Sequence, residues 1–520
     1  MLENARHYFH PRMLTIFFLG ASQGFPWVIV STALTLWLKD SGIERATIGF
    51  AGAIMVSYSI NFLWSPLVDR FNLGPVGKWF GNRRAWILSM QGIIVLGCVV
   101  ASYFDPALQL RGLVITCFAI AIAAATQDIA IDAFRIESFA EDEPKYLAAG
   151  ASMTTAGWWT GYAGIGFFPL WISDPQNWGW AWSDVYLLMA FIMGCLMLAP
   201  ILARSRLSPR QDAQRAIERN YVAILAQQPP RRNTGLLVIV VLMVAIAGWS
   251  LSGSPGLGPA VTGWWGYLPL IVLVELVIVM FILQYLWNVS GQTLDPRSGA
   301  QASSFHYMLA WLLTTLIQPL KQFFIRNGLR LGLAILLFIF LFKLGEAFLG
   351  RMSLQFYKEV GFSNTDIATY SKLTTWWVTI VFALLGGLVN IRFGIVKGLF
   401  VSGLAMATTN LLFSLIAQVG PNIPLYAFAV VVDGFTAAWS TVAFVAFLSL
   451  LCDRTFTASQ YALMVSLGSL GRTLLASSSG LMVDWLDGNW SLFFIITSIM
   501  VAPGLILLLV ISKRLRWLEN

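Results

Sequence analysis

Asp128 and Asp132 stand one helical turn apart in an otherwise apolar stretch, with Gln127 beside them and Arg135 nearly one turn further on. Lys343 and Glu346 are spaced i, i+3 in a second apolar stretch, close enough to pair on one helix face. Lys372, Asp433 and Arg472 fall in later apolar runs, and Glu275 in a separate one. Each ionisable side chain costs at least about 2.5–3.5 kcal/mol in hydrocarbon, so its presence there asks for a use. Two carboxylates one turn apart in a low dielectric repel when both are charged, so such a pair can hold one proton between them. A carboxylate loaded from one side of a membrane and emptied to the other couples proton flow to a conformational cycle. One charge moved through 100 mV is worth about 2.3 kcal/mol. At about 1.4 kcal/mol per decade this supports roughly fifty-fold accumulation of a neutral solute. Asp128, Asp132, Glu346 and Asp433 are the candidate proton carriers. The same acids also suit a structural network: an ion pair for Lys343 and Glu346, charge balance of Asp433 by Lys372 or Arg472, a local partner for Glu275.

Polar and aromatic residues suggest what such a cycle carries. Ser57, Tyr58, Asn61 and Trp64 share one stripe of a helix, and Gln23 and Trp27 mark another, where Gly20, Gly24 and Pro26 would let the chain bend. Trp158 and Trp159, Trp376 and Trp377, and Trp439 with Ser440 add ring faces. Sugars present flat apolar faces rimmed by hydroxyls, which rings with Asn, Gln and Tyr donors and acceptors suit. Trp is also an ordinary belt and packing residue of membrane helices. The expected cavity set is Gln23, Trp27, Tyr58, Asn61, Trp64, Gln127, Lys343, Trp376, Trp439 and Arg472. His7, His10 and His306 lie outside the deep stretches, and no catalytic or nucleotide-binding spacing stands in a suitable context.

These residues need helices in a bilayer to hold them. Of 520 residues 58% are hydrophobic and 11% charged, with a mean hydropathy of +0.72, against about 25% charged in a soluble domain. That balance excludes a soluble enzyme, a disordered scaffold and a disulfide-stapled module. The net charge of +8 is spread between apolar runs, not gathered as a nucleic-acid face. Cys98, Cys117, Cys195 and Cys452 have no metal or disulfide spacing. Apolar stretches long enough to span lie near 13–38, 47–68, 85–104, 112–134, 147–172, 185–203, 235–253, 263–287, 331–354, 365–390, 398–418, 424–451, 459–483 and 491–512, which makes fourteen. The run 305–317 is short and followed by Pro319, and reads as an interfacial helix. With the N-terminus inside, 25 Lys and Arg fall in cytoplasmic segments and five in opposite loops, so both termini are expected in the cytoplasm. The first span is too long for a signal-peptide core and is expected to be retained.

The chain divides into a six-helix bundle (1–203), a basic linker (204–234), an inserted pair of spans (235–290), a cytoplasmic or interfacial segment (291–330) and a second six-helix bundle with a short tail (331–520). Leu67-Val68-Asp69-Arg70-Phe71 after the second span is echoed by Leu388-Val389-Asn390-Ile391-Arg392-Phe393 in the second half. Six plus six helices with a basic middle describe the major facilitator architecture. Asp69, Arg70, Arg83 and Arg84 are the expected cytoplasmic gate.

Several segments together resemble the AmpG permeases: Phe62-Leu63-Trp64-Ser65-Pro66-Leu67-Val68-Asp69-Arg70, Phe80-Gly81-Asn82-Arg83-Arg84, Thr126-Gln127-Asp128-Ile129 with Asp132-Ala133-Phe134, Lys343-Leu344-Gly345-Glu346-Ala347-Phe348, and the run from Ala443 through Leu463. They lie in order along both halves. The resemblance implies a major facilitator carrier that imports N-acetylglucosaminyl-1,6-anhydro-N-acetylmuramyl peptides (muropeptides) across a bacterial inner membrane. It also implies drive by the proton motive force, service in cell-wall recycling and an effect on β-lactamase induction. No cofactor, metal or nucleic acid is implied, and a monomer is expected. The chain departs from the general facilitator signature at Ser65, where Gly is expected, and in the extra residues between Arg70 and Arg83. The inserted pair lies outside the shared pattern. Related permeases carry acetyl-CoA, so an acetyl-CoA-like cargo or drug efflux is the alternative.

Overall fold

The computed structural model describes residues 6–43, 52–140, 142–175, 177–203, 210–226, 303–362, 370, 375–476 and 478–513. Residues 1–208 with 327–520 form one compact unit, and 209–326 another. Glu275, Lys372 and the inserted pair of spans lie outside the described residues.

In the larger unit, α1 (Pro11–Asp40) is long and mostly buried. The second span is broken into short pieces, among them α2 (Val56–Ile60) and α3 (Ser65–Arg70). Pro66 in the first turn of α3 supplies one cause, because proline has no N–H to donate to the preceding turn and its ring crowds the carbonyl four residues back. After α4 (Gly74–Phe80) come α5 (Asn82–Ala101), α6 (Pro106–Glu137) and α7 (Pro144–Trp159). α7 continues through a wide turn at Thr160–Ile165 into α8 (Phe167–Ser173), and α9 (Trp182–Leu202) completes the first half.

The smaller unit contains α10 (Arg210–Ala226) and the pair α11 (Ser304–Leu312) and α12 (Gln318–Asn327), bent by 49° at the break. The apolar run 305–317 is helical, and helix continues past the bend through Pro319. Pro319 is the second residue of α12, a position where its missing N–H costs nothing, so the helix resumes at the bend.

The second half holds α13 (Leu329–Val360), α14 (Thr375–Phe393), α15 (Ile395–Val419), α16 (Ile423–Leu451), α17 (Thr457–Ala476), α18 (Ser479–Trp485) and α19 (Trp490–Ser512). Among the described residues nine helices are long and apolar enough to cross a membrane, or ten if the bent pair counts as one. The remaining stretches expected to span in the two halves, 47–68, 147–172 and 459–483, are helical where described but interrupted or less apolar.

Gly20 and Gly24 do not bend α1. They meet the backbone of Thr154 and Trp158, while Gly157 and Gly161 meet that of Phe17 and Ala21, so two G-x-x-x-G seams let the backbones of α1 and α7 approach. A Cβ on Gly24 would stand 2.0 Å from the Trp158 carbonyl oxygen, and one on Gly157 would stand 2.1 Å from that of Phe17. The departure from regular geometry in α1 comes later, as a wide turn at Val28–Ala33 just after Pro26.

Candidate functional site

Asp69 ends α3 and is buried. The Arg83 guanidinium donates to its Oδ1 at 2.6 Å and to Glu137 Oε1 at 2.6 Å. The Ser459 backbone N–H (2.9 Å) and hydroxyl (2.6 Å) donate to Asp69 Oδ2. An acid of the first half therefore occupies the N-terminal turn of α17 in the second, where helix N–H groups and the helix dipole favour a negative charge. Arg454 donates to the Ile136 carbonyl, and Arg135 Nη1 to the Ser449 hydroxyl at 3.0 Å. Arg135 also lies over the Tyr461 ring. Tyr8 donates to the Leu384 carbonyl at 2.8 Å. Burial pushes its hydroxyl up to about 12, which keeps the donor protonated. On the side where α3, α6 and α16 end and α17 begins, the halves are tied shut.

Two expected gate residues differ in use. Arg83 is the hub; Arg84 bonds the carbonyls of Phe80 and Ala203 within the first half. Glu137 and Ser459, absent from the expected set, complete the cluster. Their signal was a charged or polar residue at a helix terminus, but the partners are 54 and 390 positions away.

Deeper in the first half, Arg135 reaches Asp132 at 3.3 Å, and Gln23 Nε2 lies 3.5 Å from Asp132 and 3.3 Å from the Asp128 carbonyl. Asp128 Oδ1 is buried without a hydrogen-bond partner among the described residues, as are the Tyr58 hydroxyl and the Trp27 and Trp376 indole N–H groups. Trp27 packs on Tyr58 and Trp158 with ring centroids 4.9 and 5.8 Å apart, and Trp158 stacks on Tyr162 at 5.1 Å. Gln127 is fully buried and donates to the Ser22 carbonyl at 2.6 Å, so it holds α6 to α1. Trp64 bonds Thr126, and Asn61 accepts from Ser466 across the halves. Trp439 is buried and bonds Asn390 within the second half.

In the second half, Lys343 Nζ donates to Glu346 at 2.8 Å and to the Thr441 hydroxyl at 2.6 Å. Asp433 accepts from Thr409. A cavity of about 250 Å³ opens between the halves, lined by Thr155 and Trp159 from the first and by Glu346, Tyr357, Asp433 and Thr441 from the second. Arg472 is exposed, with no ion pair among the described residues. It lies near enough to Lys343 to act on it electrostatically.

No family model matches the chain. A putative transporter AmpG 4 of Rickettsia felis is 27% identical over 503 residues, 97% of each chain. An anhydromuropeptide permease of Escherichia coli is 26% identical over 508 residues, covering 98% of this chain and 81% of that one. The solved structure of a proton:xylose symporter bound to 6-bromo-6-deoxy-D-glucose matches 95% of the chain at 14% identity with a TM-score of 0.58. An E. coli fucose:proton symporter matches 95% with a TM-score of 0.54. Two helical halves around a lined cavity, together with these matches, define a multi-pass membrane transporter of the major facilitator fold and not an enzyme. Within that class, the chain is similar along nearly its whole length to proteins named as AmpG transporters and as an anhydromuropeptide permease.

Proposed function

We propose that the chain imports anhydro-muropeptides across a bacterial inner membrane by proton-coupled alternating access, with both termini in the cytoplasm, and so serves cell-wall recycling. The observation that carries the cargo is the likeness to the E. coli protein named anhydromuropeptide permease over 98% of this chain. The two six-helix bundles, 1–203 and 331–520, rock about the cavity, while 204–330 links them. The group Asp69, Arg83, Glu137 and Ser459 latches the cytoplasmic side, with Arg70 and Arg84 at its margin. Asp128 takes the coupling proton. Its buried oxygen has no hydrogen-bond partner, so its two protonation states are not locked by a fixed ion pair, unlike those of Asp132 beside Arg135. Glu346 and Asp433, on the opposite wall of the cavity, respond to cargo and help reset the cycle. The carrier works as a monomer.

The test is uptake of labelled anhydro-disaccharide peptide into proteoliposomes with and without an imposed pH gradient. Accumulation only with the acid side outside supports the reading. Uptake at equal rates in the absence of any gradient removes the proton coupling, and no uptake of this cargo removes the cargo.

A further inference from the structure

The cavity between the halves has an edge where α7 of the first half runs against α14 of the second. Thr155 and Trp159 of α7 and Thr379 of α14 line it there. On the latch side of this edge the two helices touch, where Gly387 lies against Ser152 and the Tyr8 hydroxyl. On the other side they meet again through the Trp376 ring. Trp376 stands one turn before Thr379, and Gly164 follows Trp159 in the wide turn that continues α7. The ring rests on Gly164: a Cβ there would stand 3.0 Å from its Cζ2 and 3.6 Å from its Cε2. Any side chain at this position would push the ring back from α7. Trp377 packs on the same ring with centroids 4.6 Å apart. Both helices thus carry their cavity residues between two contacts, one at the latch and one at Trp376. The Trp376 indole N–H is buried with no hydrogen-bond partner among the described residues. A buried Trp N–H ordinarily finds an acceptor, and leaving it unmatched is costly. Indole only donates, so the group it lacks is an acceptor oxygen.

We infer that Trp376 is the lid residue of the cavity on the side away from the latch: its ring, seated on Gly164, closes the edge between α7 and α14, and its indole N–H meets a carbonyl or hydroxyl oxygen of the cargo when the ring lifts. The donor role rests on the muropeptide reading, whose cargo carries such oxygens on its sugars and its peptide; the lid does not. Rocking the halves apart at this end takes the ring off Gly164 and turns the N–H free as the edge opens. Cargo then exchanges an unmatched donor for a matched one, a gain that exists only with cargo in place and so favours its entry.

Thr379→Cys places a thiol in the cavity wall behind the ring. The experiment measures its rate of modification by a membrane-impermeant maleimide added outside right-side-out membrane vesicles, with the rate of protein lacking the substitution subtracted. Trp376→Ala is expected to raise the rate roughly ten-fold, because removing the closing group shifts the population towards the open edge. Trp376→Phe keeps a ring over Gly164 and should leave the rate within about two-fold. In proteoliposomes, Trp376→Phe should raise the KM for a labelled anhydro-disaccharide peptide by roughly three- to ten-fold, the worth of one neutral hydrogen bond. A labelling rate unchanged by Trp376→Ala overturns the lid, and a KM unchanged by Trp376→Phe overturns the donor. Wild-type protein that moves no such cargo removes the donor together with the reading beneath it, while labelling still decides the lid. Yield and thermal midpoint in detergent, kept near those of the parent, exclude misfolding as the cause. Where Trp376→Ala lowers them, Trp376→Leu, whose side chain is shorter than the ring, takes its place in the labelling.

Discussion

Asp69 of the first half caps a helix that belongs to the second: its Oδ2 accepts from the N–H and the hydroxyl of Ser459, while its Oδ1 holds Arg83. One carboxylate thus closes an ion pair within its own bundle and a helix cap across the gap. Separating the halves on this side must break the cap and take both Ser459 donors from Asp69. Asp69→Asn keeps the shape and removes the charge. Hydrogen bonds to a charged group are worth about 1.5–3 kcal/mol. The closed-to-open ratio on this side should therefore fall roughly ten- to hundred-fold. Distances between spin labels placed on the two bundles at this end will read the shift, and an unchanged distribution rules out the latch.

Asp128 and Asp132 share a helix face but not an environment. Arg135 sits on Asp132, whereas Asp128 Oδ1 has no partner. Asp128→Asn is expected to abolish accumulation driven by a pH gradient and to leave cargo-for-cargo exchange intact, since exchange needs no net proton movement. Asp132→Asn strips a fully buried guanidinium of its carboxylate. It should lower stability by up to about 3 kcal/mol, less than for a wholly buried pair because Asp132 keeps some exposure. Exchange assays and thermal melts separate the two effects. Wild-type accumulation in Asp128→Asn would exclude this residue as the proton carrier.

The charges and the bundles were legible because each carries a local signal: an ion in an apolar run, and apolar runs of span length. The Lys343–Glu346 pair is three residues apart and could be read directly. Arg83 and Glu137 could not be matched, since nothing local links positions 54 apart and the pairing exists only once α5 packs on α6. The polar stripe Ser57, Tyr58, Asn61 and Trp64 presumed a regular helix. The chain breaks at Pro66 and above it, so Tyr58 turns to Trp27 while Trp64 turns to Thr126. Gln127 and Trp439 are cavity residues by type; the Gln127 Nε2 donates to the Ser22 carbonyl and the Trp439 N–H to Asn390, while Gln127 Oε1 is buried without a partner among the described residues. Residue type gives capacity for hydrogen bonding; only packing decides which partner uses it.

Lys343 gives a third prediction. Its ammonium holds Glu346 and Thr441 together in the second half. Lys343→Met leaves Glu346 without its cation; breaking a wholly buried pair from one side costs about 3–5 kcal/mol, and the cost here is up to about 3 kcal/mol because Glu346 is 24% exposed. The single variant should therefore show a lowered melting midpoint and reduced membrane yield. Adding Glu346→Gln removes the stranded charge and should restore most of the stability, though not transport. A double variant no more stable than the single one would show that the pair is not what holds this region.

The seam between α1 and α7 yields the last prediction. Gly157→Ala places a Cβ 2.1 Å from the Phe17 carbonyl oxygen and 3.0 Å from its carbon, both backbone atoms that cannot rotate aside. The helices must separate, and overpacking of this kind costs about 1–3 kcal/mol. The neighbouring Gly161, whose Cβ would meet the Ala21 carbonyl oxygen at 2.0 Å, should behave alike. Gly92 in α5 supplies the contrast, because a Cβ there meets nothing within 4 Å. Gly92→Ala should be neutral or stabilising by up to about 1 kcal/mol, the helix-propensity difference. Melting curves in one detergent compare the variants directly. If Gly157→Ala melts with wild type, the backbones of α1 and α7 do not approach this closely, and the glycines serve something other than the seam.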